Sequence, residues 1–388
     1  MSGGPATVLL VHSSSGHYGA DRQLLLIASG LDASRYRPLV VLPAEGSLAV
    51  DLRAAGIDVQ IRALSVLRRG LATPRGAAAI AAALARDTVA LGRLVRSRRA
   101  ALVHSNTSVV LGGAAAAAVG RVPHVWHVRE IYSRFGRLWP RYRSLLATAS
   151  SLACVSRATA AQFRSADPVR VIHDGLAFDA RRTPRETARR SLGLGPSEPV
   201  IAVLGRISDW KGQDVLVRAL AEPPLRERGV LGLVAGEAWP GAGERATRVV
   251  SLARELGVGD RLRLLGFRED VEALLGAADL VAVPSTAPDP LPGAALESAA
   301  AGCAVIASAH GGLPEIIRDG ETGRLVAPGD PVALSRAAAE LLDRPEERER
   351  LGAAAGADVR RRFSRDRLLD SIHDLYDSLL AGPGALRE

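Results

Sequence analysis

The chain has 388 residues, 47% of them hydrophobic and 4% aromatic, which suits two domains with cores of Ala, Leu and Val rather than one compact unit. Its net charge of +9 is uneven: residues 1–180 carry 22 Arg against 10 Asp and Glu, a net of +12, and the remainder carries −3. No apolar run reaches the roughly 18 residues of a membrane span, no basic region precedes the first apolar run as in a signal peptide, and Cys154 and Cys303 read as buried free thiols of a reducing compartment, not a disulfide or metal site.

An Arg-rich half implies an anionic partner: nucleic acid, an anionic membrane surface or an acceptor carrying phosphate. The elements then follow in order. Thr7–His12 is a β-rich run, Ser13–Gly19 a loop containing Gly16, and Ala20–Leu31 an amphipathic helix. Strand, glycine-containing loop and helix open a doubly wound α/β domain, whose ligands bind at the carboxyl edge of the strands. Alternation continues with strands at Pro38–Leu42, Ile57–Ile61, Ala101–His104, Pro123–His127, Ser151–Ser156 and Val169–Ile172. Helices are expected at Gly46–Ala55, over 73–98 and over 111–119. The strand at Ala101–His104 runs into Ser105-Asn106-Thr107-Ser108, and Trp126-His127-Val128-Arg129-Glu130 ends the next one. Residues 131–148 interleave Arg134, Arg137, Arg141 and Arg143 with Tyr132, Phe135, Leu138, Trp139 and Tyr142. That pattern suits a membrane interface or nucleic-acid stacking; equally, it describes a solvated helix with its aromatics in a core. His173-Asp174-Gly175 is a turn leaving the domain, with Gly175 expected to supply an unusual backbone angle.

Residues 178–198 read as a linker with a short helix, Pro184–Leu192, and the pattern then restarts. The strand Pro199–Leu204 leads into Gly205-Arg206-Ile207-Ser208-Asp209-Trp210-Lys211-Gly212, with a helix from about Gln213. Arg206 and Lys211 on one strand-to-helix loop fit a clamp for a diphosphate, and Lys211 is the only lysine of the chain. Further strands are expected at Leu231–Ala235, Arg263–Leu265, Leu280–Val283, Ala304–Ala307 and Arg324–Val326, and a polar-apolar helix over 363–388. In the stretch from Val281 to Gly302, a Pro-rich loop separates a buried strand from a helix over Ala294–Ala301. Asp289 in the loop and Glu297, expected in the first helical turn, lie eight apart, with Gly293-Ala294-Ala295 between them at the helix N-terminus. Free N–H groups and the helix dipole favour phosphate there. Two acids flanking a phosphate-sized space suit a ligand with hydroxyls at both ends; alternatively they are a turn residue and a dipole-complementing acid.

The spacing of Asp289 and Glu297 resembles the Glu-x7-Glu signature of glycosyltransferase family 4, retaining enzymes of the GT-B fold, with Asp standing for the first Glu. Gly205-Arg206 followed by Lys211 is similar to the family's Arg/Lys pair on the donor diphosphate. Leu265–Val271 resembles its segment over the nucleotide base, and His310-Gly311-Gly312-Leu313-Pro314-Glu315 its GG-x-PE turn. His173-Asp174-Gly175 stands where relatives have Pro-Asn-Gly.

The resemblance implies an α/β GT-B fold: two Rossmann-like doubly wound domains facing across a cleft, 1–178 for the acceptor and 179–362 for the nucleotide-sugar donor, with a C-terminal helix, 363–388, crossing back to the first. It implies a metal-independent glycosyltransferase with no cofactor and a nucleoside-diphosphate sugar as donor. Glu297 would take the ribose hydroxyls, and Arg206, Lys211, Gly293, Ala294 and Gly16 the diphosphate. Arg268 would lie by the base, Asp289 and His127 at the donor sugar, and Arg129 and Asn106 at the acceptor, a glycan, lipid-linked or small-molecule precursor; alternatively Arg129 and Glu130 order the loop. The expected location is cytoplasmic, peripheral on an anionic membrane face. A nucleotide-sugar epimerase of the same fold, a nucleic-acid-binding protein and a scaffold protein are the rival readings.

Overall fold

A computed structural model describes residues 4–67, 74–133, 135–177, 181–238 and 243–381. Residue 73 of the long helix, Arg134, the start of the linker at 178–180 and residues 382–388 lie outside the described residues. The chain divides into two compact units: Met1–Ala177 with Arg365–Glu388, and Phe178–Ser364.

The first unit holds β1 (Ala6–Val11), β2 (Tyr36–Leu42), β3 (Asp58–Ile61), β4 (Ala100–Ser105), β5 (His124–Val128), β6 (Ser151–Cys154) and β7 (Val169–Val171). They form one parallel sheet in the order β3-β2-β1-β4-β5-β6-β7. Parallel strands joined by helices are covered on both faces, so they read as continuous apolar runs. In β1, Val8 and Leu10 face one core with Leu24, Ile27, Leu48 and Leu52. Leu9 and Val11 face another, with Leu91, Leu94, Val95, Ala116 and Ala117. On that second side the helices Pro74–Ser97 and Gly112–Gly120 approach closely because the contacts are small. A Cβ on Gly120 would lie 2.4 Å from Val95 Cγ1, and one on Gly112 2.9 Å from Asp87 Cβ.

The last helix, Arg365–Leu380, completes the first unit's other core with Leu368, Leu369, Ile372, Leu375 and Tyr376. It fits against the helix Gly19–Gly30 where glycine leaves room: a Cβ on Gly30 would lie 2.5 Å from Leu369 Cδ1. Tyr36 and Arg35 also bond Asp377 of this helix.

The second unit holds β8 (Val200–Leu204), β9 (Leu231–Ala235), β10 (Leu262–Gly266), β11 (Leu280–Val283), β12 (Val305–Ser308) and β13 (Arg324–Val326). Its parallel sheet has the order β10-β9-β8-β11-β12-β13. Both sheets reverse direction of winding at their centres, between β1 and β4 and between β8 and β11. Ligands of doubly wound sheets bind in the crevice beyond the carboxyl ends at such switch points.

The structure corrects three local expectations. The helix after the Pro-rich loop is Gly293–Ala300, with Pro292 as N-cap, so Glu297 is its fifth residue and stands beyond the first turn. It is therefore poorly placed as a dipole-complementing acid, an effect that fades within the first turn. Gly175 has no positive φ; its turn is pinned instead by the Gln23 amide, which donates to Gly175 O at 2.7 Å and accepts from Gly175 N at 3.2 Å. Finally, β5 runs on to Val128, which puts His127 inside the strand rather than at its end.

Candidate active site

At the second switch point the loops are knitted together by backbone. Gly205 N donates to Ala235 O at 2.9 Å, Ile207 N to Glu237 O at 3.0 Å, Gly236 N to Gly266 O at 2.7 Å, and Thr286 N to Trp210 O at 2.8 Å. Glycine permits two of these approaches. Gly212 has φ +76°, and a Cβ there would lie 1.9 Å from Pro284 O; Gly311 has φ +60°, and a Cβ there would lie 2.4 Å from Asp289 O. Gly312 N donates to that same Asp289 carbonyl at 2.7 Å. The His-Gly-Gly turn after β12 thus holds the backbone of the Asp289 loop, and His310 Nε2 lies 2.8 Å from Ser285 O.

This frame carries the predicted donor residues, and two of them, Lys211 and Asp289, meet. Lys211 Nζ donates to Asp289 Oδ2 at 2.6 Å, its side chain 20% exposed and that of Asp289 6%. The same ammonium lies 4.5 Å from the Trp210 ring centroid, a cation–π distance. Arg206 is half-buried, and its carbonyl accepts from Gln213 Nε2 at 3.1 Å. Glu297 reaches back along its helix: a Cβ on Gly293 would lie 3.6 Å from Glu297 Oε1. Gly293 and Ala294 are the first two residues of that helix, and both keep some exposure. Arg268 is clasped by Asp270, with Nε–Oδ1 at 2.7 Å and Nη2–Oδ2 at 2.5 Å. Its side chain is thereby committed, and what the segment offers a ligand is its backbone and the ring of Phe267, 39% exposed.

A cavity of about 750 Å³ lies at the opposite, amino edge of this sheet, lined by Arg182, Arg185, Asp279 and Arg348 among others. Asp279 is already paired there with Arg185 at 2.8 Å and Arg189 at 2.9 Å. Among the described residues no three His, Cys, Asp or Glu side chains converge to hold a metal ion.

The carboxyl edge of the first sheet is built otherwise. His12, just beyond β1, sits 2.8 Å from Asp21 Oδ1 through Nε2 and 3.2 Å from Asn106 Nδ2 through Nδ1. Burial pushes Asp21 up, but the His12, Ser14 and Tyr18 N–H hydrogen bonds outweigh it and hold the carboxyl below its ordinary range. Gly16 lies in the same loop, where a Cβ would sit 3.4 Å from Asp21 Oδ2. Asn106 is fully buried and spent: it donates to His12 and to Ala20 O at 3.0 Å, and its Oδ1 accepts from Arg129 Nη2 at 3.3 Å. Arg129 also bonds Asn106 O at 3.0 Å and pairs with Asp174 Oδ1 at 2.5 Å, its side chain 7% exposed. Both residues brace the strand ends, and these bonds engage all three guanidinium nitrogens of Arg129.

His127 is also fully buried. Its Nδ1 lies 3.2 Å from His104 Nε2, and its Nε2 has no partner among the described residues. Burial first, and the Arg129 charge second, hold both imidazoles neutral; His104 is pushed down to about 3 and His127 well below its usual value. Glu130, beside them, accepts from Ser108, and burial raises its carboxyl despite that bond. Tyr132, Phe135, Trp139 and Tyr142 pack on one another, with centroids 4.8 Å apart for Tyr132–Phe135 and 4.9 Å for Tyr132–Trp139. Tyr132 is thus core, Phe135, Trp139 and Tyr142 pack half-buried against it, and Arg137, Leu138 and Arg141 are exposed.

Sequence reasoning passed over His12, His104 and Tyr376. The signal for the first two was a histidine interrupting an otherwise apolar strand near its carboxyl end; Tyr376 gave none.

Two family models match the chain in tandem: Glycosyltransferase Family 4 over residues 18–179 and Glycosyl transferases group 1 over residues 184–358. The chain belongs to the family 4 glycosyltransferases. This family 4 chain is 38% identical over 233 residues to a D-inositol 3-phosphate glycosyltransferase of Salinispora tropica, covering 56% of this chain and 48% of that one. It is 41% identical over 223 residues to the protein of the same name from Actinosynnema mirum, covering 55% and 52%. The chain spans about half the length of the curated relatives it matches. Among solved structures, Anabaena Alr3699/HepE in complex with UDP and glucose aligns with a TM-score of 0.80 at 26% identity, covering 96% of this chain and 100% of that one. A sucrose-phosphate synthase from Thermosynechococcus elongatus aligns equally well, 0.80 at 22% identity, and shows the fold alone: two Rossmann-like units of the GT-B type. No helix among the described residues is long and apolar enough to cross a membrane.

Proposed function

We propose that this protein transfers a glycosyl group from a nucleoside-diphosphate sugar to an acceptor, with retention and without a metal. The observation that carries this reading is the Lys211–Asp289 pair on the backbone-knitted loops of the second switch point, with Arg206 on the same loop as Lys211 and Glu297 on the helix that follows Asp289. In the proposed roles Arg206 and Lys211 neutralise the diphosphate, with Gly293 and Ala294 N–H groups at the helix start, and Glu297 accepts from the ribose diol. The Lys211–Asp289 pair gives the order of events. An incoming diphosphate takes over the ammonium, and the released carboxylate becomes an acceptor for hydroxyls of the donor sugar. Shortening Glu to Asp at that position fits, because the carboxylate must also reach Lys211 when no donor is bound.

In the proposed roles His127 serves the donor sugar and the Gly16 loop the diphosphate. Transfer then needs no protein nucleophile. The leaving phosphate accepts the proton of the attacking hydroxyl, and the two cations stabilise the charge that develops on it. The first donor to test is UDP-glucose, since the solved relative at 26% identity binds UDP and glucose.

The acceptor is proposed to be a soluble polyol or glycan precursor bearing phosphate. Its support is the +12 balance of residues 1–180 together with relatives named for an inositol phosphate. A nucleotide-release assay over a panel of donors, with and without inositol 3-phosphate, tests the whole reading. We expect release that rises with acceptor, an α-anomeric product from an α-linked donor, and full rates in chelator. Release without any acceptor dependence for every donor would favour an isomerase or hydrolase, and rates abolished by chelator and restored by Mg²⁺ would remove the metal-free mechanism.

A further inference from the structure

The orphaned nitrogen of His127 is the end of a chain of three buried groups. The register pairs His104 with Val125 across β4 and β5, so His127, two residues on, stands on the same face of the sheet. That face is the one covered by the C-terminal helix, and Tyr376 of that helix places its hydroxyl 2.6 Å from His104 Nδ1. His104 Nε2 lies 3.2 Å from His127 Nδ1, with the rings stacked at 5.3 Å. All three side chains are fully buried.

Proton counting decides how such a chain is wired. Two neutral imidazoles and a phenol bring three protons, and each of the two contacts needs one. If His104 Nδ1–H donated to the phenol, the phenolic proton would have no acceptor among the described residues. His127 Nδ1–H would then donate to His104, and its Nε2 would be a bare, buried lone pair: two orphaned groups. If instead the phenol donates to His104 Nδ1, His104 Nε2–H donates to His127 Nδ1, and only the His127 Nε2–H is left over. Burial holds the Tyr376 hydroxyl protonated, so a phenolate accepting from His104 is not a third wiring. Buried polar groups without partners are rare in native proteins and call for a reason.

We propose that Tyr376 and His104 act as positioning residues that lock His127 in its Nε2–H tautomer, a hydrogen-bond donor for an oxygen of the donor sugar. The lock would come from the far end of the sequence, 272 residues away at the His104–Tyr376 contact. The choice of a sugar oxygen as partner rests on the glycosyltransferase reading; the tautomer itself does not. His127 therefore polarises a hydroxyl or ring oxygen without gaining charge, because burial keeps the ring neutral.

The test is spectroscopic and needs no substrate. In the full-length protein with ¹⁵N-labelled histidine, two-bond nitrogen–proton correlations report the tautomer of each ring, and loss of one set in His127→Gln assigns it. We expect wild-type His127 wholly as Nε2–H, and His104 likewise. Tyr376→Phe keeps the ring in the core and removes the donor, so His104 and His127 should each become mixtures of both tautomers. Wild-type His127 found as Nδ1–H would overturn the proposal, even if no variant folded. So would a His127 that stays wholly Nε2–H in Tyr376→Phe, since its tautomer would then be set elsewhere. A protein that shows this wiring but transfers no sugar would leave the lock standing and remove the transferase reading; active enzyme without the wiring would do the reverse.

Discussion

The two carboxyl edges of this molecule sit on sheets of the same plan and are built from opposite materials. The second edge is backbone and short loops: glycines at positive φ bring chain segments into contact, and its cation and acids stay partly exposed or are held by one partner. The first is a sealed lattice of side chains in which His12, Asp21, Asn106, Arg129, Asp174, His104 and Tyr376 satisfy one another. The difference teaches that one topology can close its switch point with glycine and backbone or with buried side chains.

The broadest way to break this comparison is pH. Seven of the eight histidines belong to the first unit and only His310 to the second. His104 and His124 are each pushed by burial from an ordinary 6.5 down to about 3. A group whose folded value is lowered gives its full stability above its unfolded value and loses it as pH falls toward the folded one. Each should thus cost about 1.4 kcal/mol per pH unit below 6.5. Hydrogen exchange at pH 7 and pH 5, followed peptide by peptide, should show the first unit opening far more easily in acid while the second changes little. Parallel loss in both units would mean the buried imidazoles are not the cause.

The next test bears on the second edge alone. Lys211→Ala and Arg206→Ala should each cut turnover about 10²-fold or more while leaving the melting temperature near that of the wild type, since removing one electrostatic donor at a developing charge has that scale. Wild-type rates in both would end the diphosphate assignment.

A smaller effect sharpens the picture within that edge. Glu297→Gln replaces charge-assisted hydrogen bonds to a diol by neutral ones, roughly half as strong. Calorimetry with UDP should give a dissociation constant about tenfold weaker, or about 1.4 kcal/mol. An unchanged constant would move Glu297 away from the ribose.

The second edge was legible in the sequence because its parts are local. Arg206 and Lys211 share one loop, Asp289 and Glu297 one loop and helix, and the glycines that join them are visible in any linear reading. Two errors there were of one residue: the helix began at Gly293, and the acid fell out of the first turn. The first edge was poorly legible because its partners are remote. His12 meets Asn106 across 94 positions and His104 meets Tyr376 across 272. No periodicity announces such contacts; only the pairing of strands and the return of the last helix create them. Arg129 and Asn106 looked like ligand residues because polar groups at a strand end often are. They bond each other, which fits the loop-ordering role that the sequence also offered for Arg129. The aromatic stretch 131–148 shows the same limit: composition offered both a membrane face and a core, and packing buries Tyr132 while leaving its aromatic neighbours half-buried.

The return of the helix Arg365–Leu380 also bears on how the protein is made. The strands of the first sheet leave the ribosome well before the helix does, yet the face formed by Val8, Leu10, Val40 and Leu102 is closed by Leu368, Ile372, Leu375 and Tyr376 of that helix. The second unit, continuous from Phe178 to Ser364, is synthesised whole in between. We expect the order of completion to invert the order of translation, with the later unit maturing while the earlier one waits with an open apolar face. Nascent chains stalled at Ser364 should then show a protease-resistant second unit beside a digestible first. Such a half-finished sheet is the species that chaperones must shelter.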